Sequence, residues 1–245
     1  QYLDSNELVW KYTQFYRLAE HFNPRFQRVL LLGGAAYSVP KYFLEKYPKI
    51  SLDVVEIDSS VTELAQKYFD LKESPRLQIF HEDGRTFLNQ TTEHYDIILG
   101  DAYASYNPIP QLTTFEAIGR IYEALNPEGV ALINIINALE GQNGRFFRAE
   151  YRTFKEVFPQ VYAFPVYYPD NPFAEQNIML VAFKSQQIPI FTSDNKDLNR
   201  FLHHVYTKTV RIDLPILTDD YAPVEYYNTH LDSKWLMREN YRFFH

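Results

Sequence analysis

Apolar positions along the chain fall first at helical spacing, then in short unbroken runs that alternate with further helical segments. Leu8, Tyr12, Phe15, Leu18, Ala19 and Phe22 stand three and four apart, predicting an amphipathic helix over residues 6–22 that Asn23-Pro24 stops. Residues 29–32, VLLL, are apolar on both faces, as a strand inside a parallel sheet must be. A helix follows over 37–47, with Ser38 and Pro40 in its first turn, where a missing N–H does no harm. The second strand is predicted over 50–57. Ser59 or Ser60 is placed to cap the next helix, which ends near Phe69, and Glu63 stands three residues after Ser60 as in a capping box. Strands are predicted again over 75–80, 95–99 and 130–136. Between the last two, Thr113 or Thr114 caps a helix running to Leu125, and Asn126-Pro127-Glu128-Gly129 makes a turn. After a helix over 145–158 the period changes, because 161–167 and 177–183 are two strands with only a Pro-Asp-Asn-Pro loop between them. One more helix, 195–206, precedes a loop rich in Asp and Tyr at 217–227, LTDDYAPVEYY.

The alternation by itself gives an α/β protein with a mostly parallel sheet. Five β/α units closed by a hairpin match class I methyltransferase-like domains, whose Rossmann-like sheet is mostly parallel with a C-terminal antiparallel hairpin. We expect a helical lead-in over 1–24, a nucleoside-binding domain over 25–185, and a helix-and-loop extension of that domain over 186–245. The 245 residues, 46% hydrophobic and 22% charged, suffice for one large core. A net charge of −7 with scattered basic residues gives no reason to expect nucleic acid or anionic lipid as a partner. The lack of cysteine excludes disulfides, thiolate metal sites and a cysteine nucleophile, and the seven histidines form no ligand pattern, so no metal is expected. No uncharged apolar run approaches the ~18 residues of a spanning helix, and the chain reads as a soluble domain. Gln1 is not a natural start, which leaves room for a segment upstream.

Only eight glycines occur, so their places are informative. Gly33 and Gly34 follow the first strand directly, where a backbone turns sharply and approaches a ligand without a Cβ in the way. Glu56, 23 residues after Gly33, ends the second strand, where a carboxylate accepts ribose hydroxyls in dinucleotide folds. Asp83-Gly84 closes the third strand: an aspartate there can accept the exocyclic amine of adenine, and Gly84 lets the chain pass near the ring. Asp101 ends the fourth strand. Three carboxylates at successive strand ends converge on the edge where open α/β sheets bind ligands. A nicotinamide dehydrogenase would want Gly-x-Gly-x-x-Gly, which Ala35 and Ser38 break. Tyr37, Tyr103 and Tyr106 lie in crevice loops, where they can close over a nucleoside or a cationic acceptor.

As a set, VLLLGG, VVEID, EDGRTFL, YDIILGDAY and LTDDYAPVEYY resemble the spermidine synthase (polyamine aminopropyltransferase) family over nearly all of residues 1–227. More narrowly, PQLTTFE at 110–116 is similar to a box in the bacterial spermidine-synthase-like domains often fused to membrane segments. Gln1, Glu7 and Trp10 fall at the spacing of the family's lead into its first long helix. On that alignment the family's small N-terminal β-domain, which contributes to its oligomer interfaces, is missing. The resemblance implies a transferase that uses S-adenosylmethionine or its decarboxylated form, without a metal, to alkylate a small-molecule amine. Gly33, Gly34, Glu56, Asp83 and Gly84 would hold the nucleoside, Gln1 would reach its ribose or sulfonium side, and Asp101 would be the catalytic carboxylate. That last role has a physical basis: an amine with a pKa near ~10 is mostly an ammonium at neutral pH, and a carboxylate at attack distance can take its proton and aim the nitrogen. A homo-oligomer and an upstream membrane segment are the further partners the resemblance raises, with a cytoplasmic location, tethered to the inner membrane if fused.

The chain departs from the family at two acids. The loop Gly-Gly-Gly-Asp-Gly-Gly is here Gly33-Gly34-Ala35-Ala36-Tyr37-Ser38, so the Asp that holds the amine of decarboxylated S-adenosylmethionine is Ala36. The strand-four signature Asp-x-x-Asp-Pro is Asp101-Ala102-Tyr103-Ala104-Ser105, so the Asp that grips a diamine acceptor is Ala104. Glu175, Asp219 and Asp220 are candidates to replace the lost charge, and Tyr103 and Tyr106 to contact the acceptor. Ala36 also removes an acid that would repel the carboxylate of intact S-adenosylmethionine, so methyl transfer competes with aminopropyl transfer. A non-catalytic nucleoside-binding or scaffold domain of a membrane-fused protein is the alternative to both.

Overall fold

The computed structural model, which describes residues 5–104 and 107–228, gathers the apolar runs into one seven-stranded sheet. Its strands are β1 (Arg28–Leu32), β2 (Ser51–Val55), β3 (Leu77–Phe80), β4 (Tyr95–Gly100), β7 (Leu125–Asn137), β8 (Gln160–Pro165) and β9 (Gln176–Phe183). Two-residue strands β5 (Tyr103–Ala104) and β6 (Asn107–Pro108) form a separate ladder just past β4. The order is β3-β2-β1-β4-β7-β9-β8, parallel through β7 and antiparallel for β7–β9 and β9–β8. The expected class I methyltransferase-like sheet with its terminal hairpin is therefore present.

Because strand side chains alternate, β1 feeds two cores at once. Val29 and Leu31 pack with α1 (Lys11–Gln14), α2 (Leu18–Phe22), α3 (Ser38–Lys46), α4 (Ser59–Tyr68) and α8 (Lys196–Leu202). Leu30 and Leu32 pack with α5 (Gly84–Gln90), α6 (Phe115–Ala124), α7 (Arg145–Val157) and α9 (Val224–Asn228). All four are nearly inaccessible, and each contributes roughly 1.5–3 kcal/mol by leaving water. Among the described residues no helix is long and apolar enough to cross a membrane.

Several local expectations need correction. The predicted helix over 6–22 begins only at Lys11, because Trp10 is extended (φ −74°, ψ 131°), and it tightens to a 3₁₀ turn at Phe15–Arg17. That turn buries Phe15 and Tyr16 side by side and lets the Tyr16 hydroxyl donate to the Gly100 carbonyl at 2.8 Å. Asp58, not Ser59 or Ser60, caps α4, accepting from the Ser60 amide at 2.9 Å. The turn at 126–129 is a break inside β7, where Tyr95 pairs with Leu125 but Ile97 pairs with Val130. The segment at 217–227 is not all loop: a Thr218–Tyr221 bridge leads into α9.

The chain between β9 and α9 is stitched to α7. The Arg148 guanidinium, 5% exposed, donates to both Asp213 carboxylate oxygens (2.7 and 3.2 Å) and to the Gly141 carbonyl (2.8 Å). These bonds hold the Asp213 carboxyl below its ordinary range. The stabilisation is thus present at neutral pH and is lost as pH falls below that range. Asp213→Asn should cost roughly 1–3 kcal/mol in urea unfolding at pH 7, because it leaves a buried guanidinium underpaired while the lost carboxylate was partly solvated. The difference from wild type should shrink toward pH 3.

Candidate functional site

The strand order reverses between β1 and β4, and there the backbone ladder runs one residue past the strands. The Gly33 amide donates to Val55 O (2.9 Å), Glu56 to Phe80 O (3.0 Å) and Asp101 to Leu32 O (2.9 Å). Glu56 and Asp101 are thereby fixed at one edge of the sheet, the position where open α/β folds take ligands. Gly33 has φ +96°, and a Cβ on it would stand 2.6 Å from the Asp101 carbonyl oxygen. Its glycine requirement thus comes from the protein's own chain rather than from a ligand. Gly34 is similar: a Cβ would meet the Tyr37 ring at 2.7 Å. At Gly84 a Cβ would only touch Leu112 at 3.4 Å, so no such requirement exists there.

The edge opens into a cleft of about 280 Å³. Glu56, Glu82, Asp83 and Asp101 line it together with Gly33, Gly84 and Gln111, and the rest of the described lining is mainly apolar, including Ile57, Ile109 and Leu112. No Lys or Arg lines it among the described residues. Four carboxylates without a cation make a field that attracts cations and repels phosphates.

Glu56 has a task of its own. Its Oε2 accepts from the Gly34 and Ala35 amides (2.9 and 3.2 Å) and its Oε1 from the Asp58 amide (3.1 Å), which ties the glycine turn to the end of β2. Two carboxylate oxygens offer about four acceptor positions, so capacity for a hydroxyl remains. Asp83 caps α5 through Oδ1, accepting from the Thr86 amide at 2.9 Å, which leaves Oδ2 turned to other use.

Asp101 is the most perturbed group of the cleft. The Tyr12 hydroxyl donates to Oδ2 (3.2 Å) and the Asn134 amide to Oδ1 (2.9 Å), while Asn134 Oδ1 accepts from Asn177 (2.9 Å). Burial pushes the carboxyl up to about 6, although both hydrogen bonds favour its ionised form. A carboxyl of that pKa exchanges protons readily near neutrality.

Other expected residues sit elsewhere. Tyr37 is not a crevice lid: it is fully buried in the left-handed region (φ 55°), with its hydroxyl 2.6 Å from Thr62 Oγ1. Asp219 does not line the cleft. It is held by Arg85 through both oxygens (3.1 and 2.8 Å), by the Thr114 hydroxyl (2.7 Å) and, at its amide, by Glu116 (2.9 Å). The PQLTTFE and LTDD motifs therefore clasp each other. Asp220 is exposed and away from the cleft lining, and Glu175 bonds Asn143. Tyr103 belongs to β5, whereas Gln1 and Tyr106 lie outside the described residues. Sequence reasoning missed Ile57, 68% exposed at the rim between two acids, and Leu112 and Gln111, which stood inside a quoted motif without an assigned role.

A mostly parallel sheet of this order, with an acid-lined cleft at its switch point, defines a class I methyltransferase-like domain. Within that class the chain belongs to the spermine/spermidine synthase domain family, whose sequence profile matches residues 14–194. It is 30% identical over 220 residues to a probable polyamine aminopropyl transferase of Bifidobacterium longum, covering 82% of this chain and 49% of the relative. The chain spans about half the length of the first curated relatives it matches. In fold it is similar to a probable spermidine synthase from Corynebacterium glutamicum (TM-score 0.69, 22% identity, 84% of this chain and 74% of the other). It is similar also to human methyltransferase-like protein 13 in complex with SAH (TM-score 0.61, 21% identity, 79% and 87%).

A raised pKa means that the folded state loses stability as Asp101 ionises, from about pH 4 in the unfolded chain to about pH 6 in the folded one. Asp101→Asn removes that burden, keeps an acceptor for Asn134 and offers a donor to Tyr12. We expect the variant to be more stable than wild type at pH 7.5 by roughly 1–3 kcal/mol. Its advantage should vanish near pH 4 in the same denaturant titration.

Proposed function

We propose that the chain transfers an alkyl group, the aminopropyl group in the first instance, from an S-adenosyl sulfonium nucleoside to an amine. One observation carries the reading: a carboxyl poised near neutrality, Asp101, stands in a cleft whose charged side chains, among the described residues, are all acidic, in a chain of the spermine/spermidine synthase domain family. The sulfonium and the ammonium are both cations, and this is the charge such a cleft admits. In the proposed arrangement the Glu56 carboxylate accepts ribose hydroxyls and Asp83 Oδ2 accepts the adenine amine. Ile57 and Leu112 flank the ring, and the turn at Gly33 and Gly34 passes beside the nucleoside. Asp101, aimed by Tyr12 and Asn134, takes the acceptor's proton. The freed nitrogen lone pair then forms a bond to the carbon beside sulfur, and the carbon–sulfur pair returns to sulfur. The products are an alkylated amine and a neutral thioether nucleoside.

The aminopropyl reading draws support from the curated relatives, which are named polyamine aminopropyltransferases. Ala36 favours the second reading, methyl transfer, because the turn presents no acid to an incoming carboxylate. Calorimetry decides between them: tighter binding of decarboxylated S-adenosylmethionine than of the intact form is expected, and the reverse order selects methyl transfer. Failure to bind either form or methylthioadenosine overturns both. Asp101→Asn should keep nucleoside affinity within about threefold and lower kcat by roughly 10²–10⁴-fold, the usual worth of a positioned base. In wild type kcat/KM should fall below about pH 6 as Asp101 protonates; unchanged turnover in the variant removes Asp101 from the base role.

A further inference from the structure

Behind the cleft lies a second, narrower cavity of about 40 Å³. It shares Leu32, Ala102, Ile109 and Leu112 with the cleft, so the two adjoin across these side chains. It also reaches Gly100 and Asn134, the residues that precede Asp101 and hold its carboxylate. Ile121 of α6 and Glu150 and Phe154 of α7 line it, and its polar side chains among the described residues are Thr113, Asn134 and Glu150. Glu150 lies four residues before Phe154, on the same face of α7, and both line the cavity. Glu150 is 3% exposed, and its Oε2 finds no hydrogen-bond partner among the described residues. Burial alone pushes the carboxyl up to about 8, and no other titratable side chain lines the cavity among the described residues.

A buried carboxyl without a partner is costly, and a methionine or leucine of similar volume would fill the site without that cost. The two other polar side chains of the described lining are engaged elsewhere. The Thr113 hydroxyl donates to the Pro110 carbonyl, and the Asn134 amide donates to Asp101. The chemical complement of such a carboxyl is a cation, and the adjoining acidic cleft is the side from which one would come. Since about 10–15 Å³ of such space holds one water, there is room for an ammonium and a methylene or two.

We propose that Glu150 is a specificity-determining anchor for the acceptor: its carboxylate receives a second cationic nitrogen, carried on a short apolar chain, while the reacting nitrogen stands at Asp101. This rests on the alkyl-transfer reading above and places the missing charge of Ala104 on a different element. The apolar walls pack the intervening methylenes, and Glu150 separates an amine with two cationic ends from one with a single end. Pairing with an ammonium favours the ionised carboxylate, so a carboxyl that is mostly neutral at pH 7 gives up its proton when such an amine binds.

The test titrates butane-1,4-diamine and butylamine separately into the full chain saturated with methylthioadenosine. Titrations at pH 7 in buffers of different ionisation enthalpy also count protons. Wild type should bind the diamine at least about tenfold more tightly than the monoamine and release about one further proton with it. In Glu150→Gln both the preference and the extra proton should disappear, while methylthioadenosine affinity stays unchanged; Glu150→Met, which matches the apolar walls, serves if the first variant folds poorly. Nucleoside binding with no diamine preference in wild type, or a preference that survives in the variants, overturns the anchor and leaves the alkyl-transfer reading standing. No nucleoside binding in wild type overturns that reading and this one with it.

Discussion

Two strand ends touching without a side chain between them is the constraint on which the site depends. β1 and β4 lie next to each other where the sheet reverses, and the Asp101 carbonyl passes so near Gly33 that no Cβ fits. Gly33 also has a positive φ, and the following amides turn toward Glu56, whose carboxylate collects them. On the other side, Tyr16 reaches in from the N-terminal helices to hold Gly100. Backbone geometry at one crossing therefore sets where two of the cleft's acids stand.

The chemistry of the cleft follows from how those acids are surrounded. Asp101 is drawn in opposite directions: burial favours its neutral form, while Tyr12 and the Asn177–Asn134 relay favour its anion. Burial wins, but only far enough to leave the group near neutrality. Glu56 and Asp83, by contrast, are spent partly on amides of their own chain, so they are rigid before any ligand arrives. Rigid acceptors cost less ordering on binding than mobile ones. The enclosing charge is negative throughout the described lining, which suits an onium centre and is hostile to a pyrophosphate.

The sheet was legible because parallel strands buried on both faces are mostly apolar, as VLLL at 29–32 is throughout and as the strands beginning at 50 and 95 are apart from Ser51, Asp53, Glu56 and Asp96. Its hairpin was legible because no helix separates the last two strands. Helix starts were less so: Asp58 and Ser60 are both good caps, and only tertiary placement picks between them. Glu56, Asp83 and Asp101 could be located by their place after each strand, since register carries them to one edge. Tyr37 and Asp219 illustrate the limit. A tyrosine after a glycine turn reads equally as lid or as core, and whether an aspartate faces a ligand or an arginine depends on Arg85, more than 130 residues away in sequence. Glu150 was invisible for the same reason, because a lone Glu on an amphipathic helix reads as surface until the helix is docked.

The clasp between Asp219 and the trio Arg85, Thr114 and Glu116 has a consequence for how such chains diverge. Leu112 and Gln111, which wall the cleft, sit two or three residues before Thr114, so the segment at 217–219 works as a remote buttress for that wall. Three stretches scattered over half the sequence are thus bound into a single heritable block. Recombination that exchanges the C-terminal segment alone would separate Asp219 from its partners and slacken the wall while every wall residue stayed in place. The shape of this wall is therefore set by residues on both sides of the clasp together and not by the lining residues alone.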